Sequence, residues 1–119
     1  MKLVRPSDIA PVDAASPLFE GEVTRQTLVD GSMSPVFNMG LINFSHGARN
    51  KFHAHTNDQV LLVTSGTGIV ATEQESLEVR EGDLVHVPAG EKHWHGAKPE
   101  HDFSHISITV NGSSTEILE

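Results

Sequence analysis

The sequence contains no cysteine, and this absence excludes disulfide bonds, thiolate metal sites and thiol nucleophiles. Lysine and arginine are scarce: eight of them stand against sixteen acidic residues and leave a formal net charge of −8. Such a chain repels phosphate backbones, and no cluster of basic residues offsets the repulsion. We therefore expect a protein that does not bind nucleic acid.

Long apolar segments are also lacking. No run approaches the roughly 18 apolar residues that a membrane span requires, and the first residues do not have the charged and apolar regions of a signal peptide. Together with the missing cysteines, this predicts a soluble, unprocessed protein of the cytoplasm that does not enter a membrane.

Histidine is the residue that stands out in the composition. The chain has eight histidines, and five of them fall between residues 53 and 95. With 119 residues, of which 37% are hydrophobic, the chain suits a single domain with one core. The histidine-rich stretch is where we expect the chemistry of this domain to lie.

Short segments rich in strand-forming residues recur about every ten residues, with turn residues between them. They are residues 19–29, 36–44, 49–55, 59–64, 68–72, 77–80, 83–87 and 103–110. No segment keeps a helical period over three turns. The pattern predicts an all-β domain over residues 19–119, folded as a small antiparallel β-barrel or jelly roll.

The first eighteen residues differ from the rest, because Pro6, Pro11 and Pro17 lie among small and polar residues. This composition predicts an extended N-terminal arm over residues 1–18. Two interpretations stay open for it: a disordered terminus, or an arm that packs on a partner subunit.

The histidines recur at a spacing that brings side chains together. Because side chains alternate across a strand, His53 and His55 point to the same face. A turn at residues 56–58 then lets Gln59 enter the next strand beside them. His93 arrives from a second segment, in which a proline and a glycine fix a tight turn. Three imidazoles and an amide oxygen are plausible ligands for a divalent metal.

These segments resemble the paired motifs of the cupin superfamily, G-x5-H-x-H-x3-[E/Q]-x6-G and G-x5-P-x-G-x2-H-x3-N. The matching residues are Gly47, His53, His55, Gln59, Gly66, Gly82, Pro88, Gly90 and His93. Gln59 stands where most cupins have glutamate, and Ala97 where many have asparagine. The resemblance implies a cupin barrel with one divalent transition metal ion, held by His53, His55, Gln59 and His93. Two alternatives remain: buried histidines that pair with the backbone, and a Gln59 that lies beside the metal rather than on it.

The glutamine has a chemical consequence. Three neutral imidazoles and an amide leave the full charge of a divalent ion uncompensated, which makes the ion a stronger Lewis acid and weakens the protein's hold on it. Ligands of this kind suit Mn, Fe, Co, Ni or Zn.

A more specific resemblance centres on residues 91–97. With residues 47–49 and the strand that carries His105, this segment is similar to the small single-domain cupins that include manganese-dependent hydroxynitrile lyases. The resemblance favours manganese and implies that His105 assists chemistry at the metal, with His95 and Lys92 as further candidates. The alternatives are that His95 and His105 only bond across strands and that Lys92 is a solvated surface residue.

The strand of His105 gives two conflicting expectations. Its sequence alternates, so the apolar face with Ile106 and Ile108 would be buried and His105 would face water. The resemblance implies the reverse, a polar pocket around His105 with the isoleucines packed on a second sheet or subunit. Trp94 is expected in the core or at the barrel mouth. His46, His86 and His101 are expected at the surface.

Three functions fit these features. The first is a lyase or isomerase that uses the metal as a Lewis acid on a small hydroxy or oxo substrate, with cyanohydrin cleavage the sharpest candidate. The second is a non-haem iron dioxygenase, and the third is a metal-containing module that binds a small molecule without turnover. The apolar strands and the arm further predict a homodimer.

Overall fold

The computed structural model describes residues 1–119 and confirms the predicted all-β class. Twelve strands follow a short 3-10 helix at Pro6–Asp8. They are β1 (Val12–Asp13), β2 (Phe19–Glu20), β3 (Val23–Val29), β4 (Phe37–Phe44), β5 (Arg49–Asn50), β6 (His53–His55), β7 (Gln59–Ala71), β8 (Ser76–Arg80), β9 (Leu84–Val87), β10 (Trp94–Ala97), β11 (Phe103–Val110) and β12 (Thr115–Ile117). No helix in the structure has the length and apolar character needed to span a bilayer.

The strands form a curled antiparallel sheet of the jelly-roll type. Its order is β1-β3-β4-β11-β7-β10-β5-β2, with β8 and β9 also paired to β7, while β12 pairs with β6. Strand β7 links the two sides, because its first half pairs with β9 and β11 and its second half with β8 and β10. Residues 59–64 and 68–72, predicted as two strands, thus form one.

Gly66 lies where β7 changes partners. Its φ is +75°, a left-handed conformation that residues with a side chain rarely adopt. A Cβ at this position would also collide with the carbonyl of Asp102. Only glycine therefore fits where the long strand passes from one side of the barrel to the other.

Inward-facing residues form layers across the sheet. Val23, Phe44 and Phe103 lie side by side in the first layer, because their backbones are in register. Arg25, Ile42, His105 and Val63 form the next layer, followed by Thr27, Gly40, Ser107 and Leu61. The interior thus changes along the strands from an entirely apolar layer to layers that also hold polar residues.

The predicted arm lies against its own chain in the structure. Val12 pairs with Arg25 on the edge of β3, and the side-chain amide of Gln26 donates to the carbonyls of Pro6 (2.8 Å) and Ile9 (3.0 Å). The domain boundary at residue 18 remains a prediction.

The structure decides between the two expectations for the strand of His105. His105 is fully buried, whereas Ile106 and Ile108 on the outer face are half-buried. The expectation from alternation was wrong, because the interior of the barrel is polar at this level and the outer face is the more apolar one.

Candidate metal centre

Three imidazoles meet at one place in the barrel. His53 and His93 form an isolated antiparallel bridge in which each backbone N–H donates to the other's carbonyl at 2.9 Å. His55 follows two residues later on β6. One ring nitrogen from each of the three histidines lies within 4.8 Å of the others. The three could therefore hold a single metal ion.

Hydrogen bonds fix which nitrogen each ring presents. The Nδ1 of His53 lies 2.6 Å from the carbonyl of Lys51, and the Nδ1 of His93 lies 2.8 Å from the carbonyl of Glu91. A carbonyl only accepts, so both Nδ1 atoms carry the hydrogen and both Nε2 atoms keep a free lone pair. This is how metal-binding histidines are commonly oriented.

His55 completes the test of whether these residues fit a metal. Its Nδ1 bonds to the Thr115 hydroxyl at 2.9 Å, while its Nε2 is buried without a hydrogen-bond partner. An orphaned buried nitrogen costs free energy unless something binds it. The unpartnered lone pair, beside the other two Nε2 atoms, fits an N-ligated divalent ion.

Gln59 lies next to the three rings. Its Oε1 is 3.2 Å from the Nε2 of His93, and its Nε2 donates to the Ser107 hydroxyl at 2.9 Å. Because the serine takes the amide hydrogen, the amide oxygen is the atom that turns toward the histidines. The structure thus brings all four residues of the predicted ligand set together.

Burial keeps the imidazoles neutral. It lowers the pKa of His53 to about 3, mainly because the charged form loses water, with further repulsion from His93 and His55. Burial also lowers the pKa of His55 and His93. Neutral rings at pH 7 have the lone pairs that metal binding requires.

A second pair of histidines lies beside this cluster. The Nε2 of His105 and the Nδ1 of His95 are 2.9 Å apart, and both side chains are buried. Burial lowers the pKa of His105 to about 3 and that of His95 well below its usual value. His105 Nδ1 has no hydrogen-bond partner. The two rings are therefore joined by a hydrogen bond away from bulk water.

Asn50 orients this pair, and the sequence motifs gave no sign of it. Its Oδ1 accepts from the backbone N–H of His95 at 2.8 Å, so its Nδ2 faces the His95 ring as a donor. The nearer ring nitrogen, Nε2, is 3.1 Å away and accepts. His95 therefore carries its hydrogen on Nδ1 and donates to His105. Strand β5 is two residues long, too short for a residue pattern to mark Asn50.

A cavity of about 180 Å³ connects the two groups. It is lined by His53, His55 and Gln59 from the cluster and by His95 and His105 from the pair. The remaining wall is mostly polar. The volume corresponds to about six water molecules at ~30 Å³ each, so it suits a small molecule.

Lys92 is the predicted site residue that the structure does not bring to the cavity. Its Nζ lies 3.4 Å from Glu73 and 5.1 Å from the centre of the Phe52 ring. This placement fits the surface-lysine alternative.

Trp94 is half-buried and therefore not a core residue. The guanidinium carbon of Arg49 lies over its ring, 4.3 Å from the ring centre. His46, His86 and His101 are exposed, as expected.

A curled antiparallel barrel whose interior gathers three imidazoles and an amide defines a small β-barrel protein with a candidate metal centre. The chain belongs to the cupins, since the cupin domain family (Cupin_2) matches residues 40–109. This match confirms the resemblance that the two motifs indicated.

Similar proteins include enzymes. Over 81 residues the chain is 37% identical to (R)-mandelonitrile lyase of Granulicella tundricola, covering 66% of this chain and 62% of that protein. Over 84 residues it is 33% identical to acireductone dioxygenase of Bacillus cereus, covering 66% of this chain and 46% of that protein. The matched part thus spans less than two thirds of each of these relatives. A cupin-like protein from Thermotoga maritima superposes with a TM-score of 0.83 at 30% identity, over 89% of this chain and 83% of that one.

Proposed function

We propose that this protein is a metal-dependent lyase that acts on a small hydroxy or oxo compound, with cyanohydrin cleavage as the sharpest instance. The observation that carries the proposal is the shared cavity, in which the candidate ligands face the His95–His105 pair. The 37% identity to a mandelonitrile lyase supports the choice of reaction.

The metal would be held by His53, His55, Gln59 and His93. A divalent ion supplies a Lewis acid there for a substrate oxygen. Manganese is the ion we favour, and iron, nickel, cobalt and zinc suit the same ligands. No carboxylate lines the cavity, so the protein itself adds no negative charge that would oppose a developing oxyanion.

The histidine pair would handle the proton. In cyanohydrin cleavage the hydroxyl O–H breaks, the oxygen forms a carbonyl, and the C–CN bond leaves with its electron pair as cyanide. The ring atom of the pair that has no partner in the protein is His105 Nδ1–H. It would give its proton to the departing cyanide, and the same nitrogen would take up the hydroxyl proton, so that the ring ends unchanged. Asn50 holds His95, and the 2.9 Å bond between the rings in turn orients His105, so His105 is the ring of the pair that would act.

The test is a cleavage assay with mandelonitrile and protein loaded with Mn²⁺. Benzaldehyde should appear with the loaded protein and not with metal-free protein or with Mn²⁺ alone. If manganese binds but neither mandelonitrile nor other small cyanohydrins are cleaved, cyanohydrin cleavage is the wrong reaction.

A dioxygenase is the second candidate, favoured by the match to acireductone dioxygenase. Oxygen consumption that requires iron and is absent with manganese would move the assignment to it. A protein that binds metal and small molecules but shows neither reaction would be the non-catalytic module.

We further propose that the chain forms a homodimer. The outer face of β4, β11 and β7 carries half-buried aliphatic residues, and the neighbouring strand β9 adds an exposed leucine. They are Met39, Leu41, Val60, Leu62, Ile106, Ile108 and, 61% exposed, Leu84. A second copy could cover such a face. Light scattering should give twice the mass of the chain at micromolar concentration, and a monomer mass would contradict the proposal.

A further inference from the structure

Arg25 is a charged residue of the cavity wall that the proposed reaction does not use. It lies on β3, in the same layer as Ile42 and His105. Among the residues that line the cavity it is the only lysine or arginine, and none is aspartate or glutamate. The chain as a whole has a net charge of −8, whereas this cavity has one guanidinium and no carboxylate. The cavity therefore favours a negatively charged ligand.

The guanidinium has donors to spare. Its Nη2 donates to the Asn38 side chain at 3.2 Å and its Nε to the Thr27 hydroxyl at 3.4 Å. A guanidinium has five N–H donors, so most of them lack a partner in the protein. Arg25 takes part in none of the five ion pairs of the structure. Burial lowers its pKa, because the charge is half withdrawn from water without a counter-charge.

Gly40 makes room for this side chain. A Cβ at Gly40 would lie 2.5 to 2.7 Å from three guanidinium atoms of Arg25. The backbone does not itself require glycine there, because Gly40 is not among the glycines with positive φ. Glycine inside a strand weakens the strand and commonly marks a close approach. The close approach at this site is the guanidinium lying flat on the neighbouring strand.

We propose that Arg25 binds a carboxylate group of the substrate, so that the substrate of this cavity is a small hydroxy or oxo acid. The planar fork of arginine matches a carboxylate with two parallel hydrogen bonds. A cavity of about 180 Å³ has space for such an acid. This inference rests on the proposed function, in which the metal would bind an oxygen of the substrate. It assigns a carboxylate group to the same substrate.

Binding of a matched pair of probes tests the proposal. Lactate and lactamide have nearly the same shape, but only lactate carries a charge. Calorimetric titration of Mn²⁺-loaded protein should show a clear preference for lactate. Arg25→Gln should weaken lactate binding about tenfold to a hundredfold, the range for charge-assisted hydrogen bonds, and leave lactamide binding unchanged.

Two further variants sharpen the comparison. Gly40→Ala should displace the guanidinium and reduce the preference for lactate while Arg25 is still present. Arg80→Gln removes an exposed arginine outside the cavity and should leave both affinities unchanged. If Arg25→Gln keeps the preference for lactate, or weakens both probes equally, Arg25 has only a structural role and the proposal is wrong. Tighter, Arg25-dependent binding of inorganic phosphate would overturn the assignment to a carboxylate.

Metal content, measured in the same samples, separates this inference from the proposed function. Protein that does not take up manganese but still prefers lactate through Arg25 would refute the metal-dependent reaction and support the anion site. Protein that takes up manganese, cleaves a neutral cyanohydrin and shows no Arg25-dependent preference would support the metal-dependent reaction and refute the anion site.

Discussion

The two ends of the barrel interior are built from the same strands but from different chemistry. At one end Val23, Phe44 and Phe103 pack in register, and all three are nearly inaccessible to solvent. At the other end the same strands present Arg25, His105 and Ser107 to a cavity. Both ends are buried, but only the second leaves polar atoms such as His55 Nε2 without partners. Apolar packing at the first end stabilises the barrel. At the second end, buried polar atoms without partners lower the stability but form a site.

Loss of His105 should have the largest effect, and it should act only on turnover. His105→Asn should lower kcat for the cleaved substrate by about 10²–10⁴, because a proton-transfer group is lost. Metal content, measured in the same sample, should stay at the wild-type level, since His105 is outside the ligand cluster. A variant with full turnover, or one that loses its metal, would show that this part of the comparison is wrong.

Truncation in the apolar end should act on stability instead. Phe103→Ala removes a ring that is 1% exposed and should cost about 3–5 kcal/mol of unfolding free energy. Urea denaturation measures the loss. Phe37→Ala, at a ring that is 52% exposed, is the matched control and should cost far less. Equal losses would mean that the first layer is not the packing core.

Acid should weaken the polar end of the metal-free protein. An unfolded histidine binds a proton below about pH 6.5, whereas His53 and His105 in the folded state do so only near pH 3. Between these values the unfolded state binds more protons, so stability falls as pH falls. Each such histidine contributes a slope of about 1.4 kcal/mol per pH unit.

The matched control for the acid effect lies at the apolar end. Phe103→Leu should lower the stability by a similar amount at every pH, because it changes no titrating group. Denaturation curves between pH 4 and pH 7.5 measure both effects. A metal-free wild type whose stability does not change between pH 6.5 and pH 4 would contradict the burial of neutral histidines.

The smallest expected effect concerns the orientation of Gln59. Ser107→Ala removes the hydroxyl that accepts the amide hydrogen, and metal affinity should fall about tenfold. Ser104→Ala changes the same strand on its outer face and should leave affinity unchanged. Competition with a metal-binding dye compares the two variants. Equal affinities would mean that the amide oxygen does not depend on Ser107.

The ligand cluster could be predicted from the sequence because two motifs with fixed internal spacing mark it. His53 and His55 alternate along one strand, and a glycine turn delivers His93. The barrel followed from short strands with regular turns. Arg25 and Asn50 could not be found this way, since neither is a fixed position of a motif and their contacts, with Gly40 and His95 respectively, arise only in the folded sheet.

The alternation of polar and apolar residues along β11 led to the wrong expectation for His105, and the reason is physical. A strand shows which residues share a face, but it does not show which face is inside when the interior is polar. Only the resemblance to cupins carried that information for His105.

Metal stoichiometry tests the central claim, a single divalent metal site made by three neutral imidazoles at the polar end. After loading with Mn²⁺ and desalting, wild-type protein should retain about one equivalent by elemental analysis. His53→Ala, His55→Ala and His93→Ala should each retain less than about a tenth of that, while the exposed His86→Ala should match wild type. Wild-type protein without metal, or an imidazole variant that retains a full equivalent, would contradict the account.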